Sequence, residues 1–93
     1  MLHIVVYGVL QRMFPQKALL LDIGSVISLG EVIDLLDRRS ELQLKQVLFD
    51  DKGNLRPQYK IALNGMILPN DFDPLVSVKG SDQLMIFPLA DGG

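Results

Sequence analysis

The sequence predicts an α+β fold in which one main helix packs across a mixed sheet of four or five strands. Three observations predict it. An alternating apolar run at the start is followed closely by a second apolar run. A capped amphipathic stretch fills positions 28–39. An Asn-Gly dipeptide between apolar runs then precedes a final alternating segment.

In MLHIVVYG, Leu2, Ile4 and Val6 point one way and His3, Val5 and Tyr7 the other, which is the period of a strand, and Gly8 ends its clearest part. Pro15 marks a turn in VLQRMFPQ. KALLLDIG then reads as a second strand closed by Gly24, near enough to the first for a hairpin with a loop of several residues. Ser28 followed three residues later by Glu31 is a capping box, in which each side chain satisfies an orphan backbone N–H. A helix from Leu29 to Arg39 follows, with Val32, Leu35 and Leu36 on its apolar face and Asp34, Asp37 and Arg38 on its solvated side. Leu42, Leu44, Val47 and Leu48 suit a second short helix, and DDKGN is a loop tip. YKIALNGMIL gives two short strands around Asn64-Gly65, the pair preferred where a type I′ turn needs positive φ twice. Between Pro69 and Asp82 runs a connector with a single helical turn near Pro74 to Val76. QLMIF is the last strand, and Pro88, which has no N–H to donate, stops it. The order places one helix between two hairpins, the β-grasp arrangement of ubiquitin-like proteins. Residues 1–87 are expected to form a single domain of this kind, and 88–93 a flexible extended C-terminal tail.

The chain has 93 residues, 48% hydrophobic and 22% charged, the balance of a domain that folds alone. Nine Lys and Arg against eleven Asp and Glu leave a net charge of −2, with the basic residues scattered, so the basic face that nucleic acid requires is missing. IVVYGVL is too short to span a bilayer and follows no basic leader, which makes the cytoplasm the expected location. With no cysteine, the chain has no disulfide, thiolate metal site or thiol nucleophile. Its single histidine, His3, has no second ligand at a metal spacing, so no bound metal or cofactor is expected. No Ser/His/Asp set, catalytic carboxylate pair or phosphate-binding loop appears, so the chain is expected to be no enzyme itself.

The end of the chain is PLADGG. Six residues beyond the last strand reach about 20 Å when extended, enough to enter another protein's active site. Glycine lets the backbone thread a narrow channel, so Gly92 is the permissive residue, and the α-carboxylate of Gly93 is what arrives. Once adenylated, its carbonyl is electrophilic, and a sulfur or amine nucleophile can take it.

The segment KIALNGMIL followed by DPLVSVKGSDQLMIFPLADGG resembles the C-terminal half of the MoaD and ThiS sulfur-carrier family, particularly the small subunit of molybdopterin synthase. Asn64 and Gly65 match that family's hairpin, Leu75 its leucine, Asp82 its turn aspartate, and Leu84 and Ile86 its strand. Pro88 matches its proline, and Gly92 with Gly93 its end. The likeness covers about the last 35 residues. It departs at Asp91, where the family carries a small residue, at Ser81 in place of glycine, and at Leu89 in place of a second proline.

The resemblance implies that an E1-like enzyme of the MoeB or ThiF type uses ATP to adenylate the Gly93 carboxylate. A persulfide protein then supplies the sulfur of a thiocarboxylate. This delivers sulfur to a product such as the molybdopterin dithiolene or the thiamine thiazole, with a MoaE-type large synthase subunit as a further partner. It also implies a docking strand, for which Phe87, Pro88 and Leu89 are the candidates, with Met85 behind them. Two other functions fit the same fold: a ubiquitin-like modifier joined through Gly93 to lysines, and an interaction or assembly domain with an inert tail. Four aspartates from Asp71 onward, against Lys79 alone, lead one to expect a basic partner surface.

Overall fold

In the computed structural model, which describes residues 1–15 and 18–89, five strands form one mixed sheet. β1 (Leu2–Val6) pairs antiparallel with β2 (Ala18–Leu21), and β4 (Tyr59–Leu63) pairs antiparallel with β5 (Met66–Ile67). Between these hairpins lies β7 (Gln83–Pro88), parallel to β1 and antiparallel to β4. The expected alternation holds: Leu2, Ile4 and Val6 are fully buried, while His3 and Tyr7 are exposed. A 3-10 helix, Gly8–Met13, occupies the loop of the first hairpin and puts Leu10 and Met13 into the core.

α1 (Leu29–Arg39) has the expected limits and its capping box, with the Glu31 amide donating to Ser28 Oγ at 3.2 Å. Its buried stripe is Leu29, Val32, Ile33 and Leu36. Leu35, expected inside, is half-buried, because that stripe turns its own centre toward Ile33 and leaves Leu35 at the margin. α2 (Leu44–Leu48) buries Leu44 and Leu48 one turn apart; Leu42 precedes the helix and stays exposed. The exposed carboxylates of α1 tie the two helices together: Asp34 pairs with Lys45 Nζ at 2.8 Å, and Asp37 accepts from the Lys45 amide at 3.0 Å.

Two short strands join this frame. β3 (Ile27–Ser28) and β6 (Ser77–Val78) pair antiparallel just before α1. The residues ahead of β6 do not form the expected helical turn. Asp73 to Val76 is a β-turn closed by Val76 N to Asp73 O at 3.1 Å, and its free carbonyls serve α1. Val76 O accepts from Leu29 N at 2.8 Å and Pro74 O from Gly30 N at 2.9 Å, so two amides of the helix's first turn are satisfied by this segment. Leu75, which carries the family's leucine in the resemblance, is 76% exposed, whereas Val78 supplies the buried side chain here.

β7 runs one residue further than expected, through Pro88, and the hydrogen-bond directions explain why. Asn64 N donates to Gln83 O and Leu89 N to Gln58 O, so odd-numbered residues of β7 bond toward β4. His3 N donates to Asp82 O and Tyr7 N to Ile86 O, so even-numbered ones bond toward β1. The amide that Pro88 lacks would face β1, which has already ended at Val6. Gly8, with φ +63°, turns the chain away there, and a Cβ on it would lie 2.7 Å from Pro88 Cγ. The bare backbone of Gly8 makes room for the proline ring.

Gly8→Ala therefore combines a left-handed alanine, costing about 1–2 kcal/mol, with displacement of a stiff ring. Gly24 has φ +70° and open space around its Cβ position, so Gly24→Ala carries only the first cost. In urea unfolding, Gly8→Ala is expected to lose at least about 1 kcal/mol more than Gly24→Ala, a gap that narrows in a Pro88→Ala background.

Candidate functional site

Alternation along β7 divides its side chains between two environments. Leu84 and Ile86 are fully buried in the core cluster that contains Leu29, Val32 and Leu36 of α1. Met85 and Phe87 are half-buried on the opposite face and stand outside that cluster. Of the candidate docking residues, Met85 and Phe87 thus share the open face of the sheet. Pro88 is half-buried against Gly8, and Leu89 is 49% exposed.

The strand registers show what surrounds Met85. Val5 and Ala62 flank it on β1 and β4, Ala18 lies beyond Val5 on β2, and Ile67 lies beyond Ala62 on β5. One row of side chains thus crosses all five strands without a charge. Tyr7 borders it and donates its hydroxyl to Met85 Sδ at 3.8 Å. Phe87 faces Lys60 on β4, whose ammonium is taken by Asn70 Oδ1. His3 sits one row away, between Leu20 and Gln83. The role of Val5, Ala62, Ile67 and Leu20 in this face depends on register, which the alternation of a single strand does not reveal.

Past Pro88 the sheet offers one more rung, Leu89 N to Gln58 O at 2.8 Å. There it stops. Arg56 to Tyr59 is a turn, and Arg56 O already accepts from Tyr59 N and from Asn70 Nδ2, each at 3.0 Å. Asp91, Gly92 and Gly93, the expected reacting end, lie outside the described residues.

At the other end of β7 the turn aspartate is the one buried charged residue among the described residues. Asp82 Oδ2 accepts from Lys79 N at 2.9 Å and Oδ1 from Asn64 Nδ2 at 3.0 Å. Asn64 in turn accepts from Gln83 N through Oδ1 at 2.9 Å. Asn64 and Gly65 have φ of 53° and 83°, the type I′ geometry expected of this hairpin. The hairpin residue and the turn aspartate of the resemblance are therefore two halves of one latch that fixes where β7 begins. The Lys79 amide, then the Asn64 side chain, hold the Asp82 carboxyl below its ordinary 3.8 in spite of burial. Because Asp82 is spent internally, the acidic count near the chain end overstates the charge offered to a partner.

Among the described residues no group of three or more His, Cys, Asp or Glu is placed to hold a metal, and no helix is long and apolar enough to cross a membrane.

No family model matches the sequence, and no curated protein does. Solved structures do. SAMP1 of Haloferax volcanii superposes with a TM-score of 0.76 at 20% identity, over 99% of this chain and 98% of that one. A chain of the BexX/CysO complex of Amycolatopsis orientalis gives 0.78 at 19% identity, over 100% of both. Urm1 of Trypanosoma brucei gives 0.75 at 20% identity, over 99% of this chain and 94% of that one. The chain has the ubiquitin-like β-grasp fold, as the resemblance implied.

A carboxylate whose pKa is lowered by folding stabilises the fold above its unfolded value of 3.8 and loses that contribution as pH falls through the lower folded value. Asp82→Asn also sets an amide donor against Asn64 Nδ2 or the Lys79 amide, a loss of about 1–3 kcal/mol at neutral pH. Urea unfolding between pH 7 and 2 is expected to show this difference at neutral pH and a shallower acid decline in the variant.

Proposed function

We propose that this chain is a sulfur carrier that reacts through the carboxylate of Gly93. The observation that carries this reading is the position of β7. The last strand is the centre of the sheet, presents Met85 on an uncharged row and Phe87 beside Lys60 on the same open face, and leads through Pro88 and Leu89 toward ADGG. One strand thus supplies both a docking face and the route to the reacting group. Neighbours of the same fold include a chain of the BexX/CysO complex, which supports a role exercised with a partner protein.

In this reading an E1-like enzyme of the MoeB or ThiF type docks on the open face and adenylates the Gly93 carboxylate with ATP. The adenylate is an activated acyl group, so the terminal sulfur of a persulfide protein attacks its carbonyl and expels AMP, giving an acyl disulfide. A thiol then attacks the donor's sulfur of that S–S bond as the two-electron reductant, releasing the thiocarboxylate and leaving the donor in a disulfide. The thiocarboxylate then donates sulfur in cofactor biosynthesis, with molybdopterin and a MoaE-type large subunit the first candidates. Catalysis belongs to the partners, and ATP is their substrate. This chain contributes the fold that holds the route to the tail, the docking row and the carboxylate.

A second reading has one observation in its favour: a neighbour of the same fold from Methanosarcina acetivorans is a small archaeal modifier protein. The activated Gly93 would then pass to a lysine amine on another protein. The acceptor separates the two, since a modifier leaves isopeptide adducts and a sulfur carrier a thiocarboxylate.

The test is intact mass spectrometry of the full chain after incubation with ATP, an E1-like enzyme from the same cell, a persulfide donor and a thiol reductant. A gain equal to one oxygen exchanged for sulfur on the C-terminal peptide, lost on deleting Gly93 and slowed by Phe87→Asp, is expected. An unmodified chain, with neither adenylate nor thiocarboxylate, would sink the reading and leave an interaction domain with an inert tail.

A further inference from the structure

A concavity of about 720 Å³ lies between α1, α2, the loop after α2 and the Phe72–Pro74 segment. It shares no residue with the open row of the sheet and takes no part in the proposed sulfur chemistry. Its volume is that of a site for a small ligand or a short peptide.

The floor is apolar. Phe49 and Phe72 meet edge to face with centroids 6.2 Å apart at 68°, and both are half-buried, so each keeps ring surface open beside Ile33 and Pro74. The walls are held by hydrogen bonds. In the loop, Asp50 Oδ1 accepts from Lys52 N and Asn54 N, and Asp50 N donates to Asn54 O. Asn70 Nδ2 fastens the base of this loop by donating to Leu55 O and Arg56 O. On the far wall the Asp34–Lys45 pair locks α2 to α1. A groove built this way needs little ordering to receive a ligand.

The charges along the rim indicate what that ligand carries. Lys45 is neutralised by Asp34. Arg56 instead reaches over to Gln46 O at 3.3 Å and makes no ion pair among the described residues. On the loop, the exposed Asp51 carboxylate has neither ion pair nor hydrogen bond among the described residues. Among the described residues the groove therefore has one cation outside any ion pair, Arg56, and two such anions, Asp50 and Asp51, of which Asp50 is engaged by the loop amides and Asp51 has no hydrogen bond, with aromatic surface as its floor. A polyphosphate or nucleotide is a poor complement, because Asp34, Asp50 and Asp51 all line the cavity and repel it.

We propose that this groove is a second docking site, for a segment of another protein that carries an acidic, an apolar and a basic residue in succession. The apolar side chain lies on Phe49 and Phe72, the acidic one meets the Arg56 guanidinium, and the basic one meets Asp51. Because the groove and the open row share no residue, this partner binds without using the surface that the sulfur-transfer enzymes take.

The test is an amide chemical-shift titration of the full chain with the peptide acetyl-Glu-Phe-Lys-amide, and with acetyl-Gln-Phe-Gln-amide as its uncharged counterpart. Shifts are expected at Gln46, Phe49, Gly53 and Phe72 and not at Val5 or Met85, with the charged peptide binding several-fold more tightly. Arg56→Gln and Asp51→Asn should each weaken it roughly fivefold, the size of one modest charge contact. Asp51 makes no contact that the fold relies on, so Asp51→Asn reports binding in a folded chain. Equal binding of the two peptides, shifts confined to the open row, or no shifts at all would overturn the proposal.

Discussion

The parallel pairing of β1 with β7 is the constraint on which the rest of the molecule depends. Each hairpin is local, and among the described strands the two share no rung with one another. Only β7, by pairing with β1 on one side and β4 on the other, turns them into a five-stranded sheet with a continuous core face. Parallel strands cannot be joined by a tight turn, and here almost the whole chain lies between the two partners. Such a pairing carries a large closure cost before any contact offsets it. The burial of Ile4, Val6, Leu84 and Ile86 against α1 supplies the compensation, and the Asp82–Asn64 latch fixes the register in which it is gained.

What was legible in the sequence is what local chemistry decides. Ser28 and Glu31 set the start of α1 because capping is a contact three residues long. Asn64-Gly65 set its hairpin because positive φ is a property of two residues. Alternation in β7 separated Met85 and Phe87 from Leu84 and Ile86. Two-residue strands such as β3 and β6 have no period to detect, and Pro74 to Val76 took its shape from the amides of α1, far away in the chain. Pro88 reads as a terminator from its missing N–H alone, whereas its tolerance within β7 depends on which neighbour that position faces. The uncharged row needed register, and the aromatic groove needed Ile33, Phe49 and Phe72 brought together by the fold.

The two surfaces differ in physical character. The open row is broad and uncharged, suited to burial of area against another flat face. The groove is a concavity of about 720 Å³ with an aromatic floor and charges of both signs around it, the character of a surface that discriminates by pattern. The distinction follows from which elements build each surface. Sheet register builds the first, while a loop braced by Asn70 and Asp50 builds the second.

The rung at Leu89 has one more consequence. β1 has turned away at Gly8, and the carbonyl of Arg56 on the β4 side is already occupied by Tyr59 and Asn70. At Leu89, then, one flank of the central strand has turned away and the other has its next acceptor already taken. Sheet edges invite further pairing, and a carbonyl already taken twice extends no such invitation. By filling the Arg56 acceptor from within its own corner, the fold makes the rung at Leu89 the last on this flank among the described residues and spends the leftover carbonyl on bracing the turn and Asn70 instead.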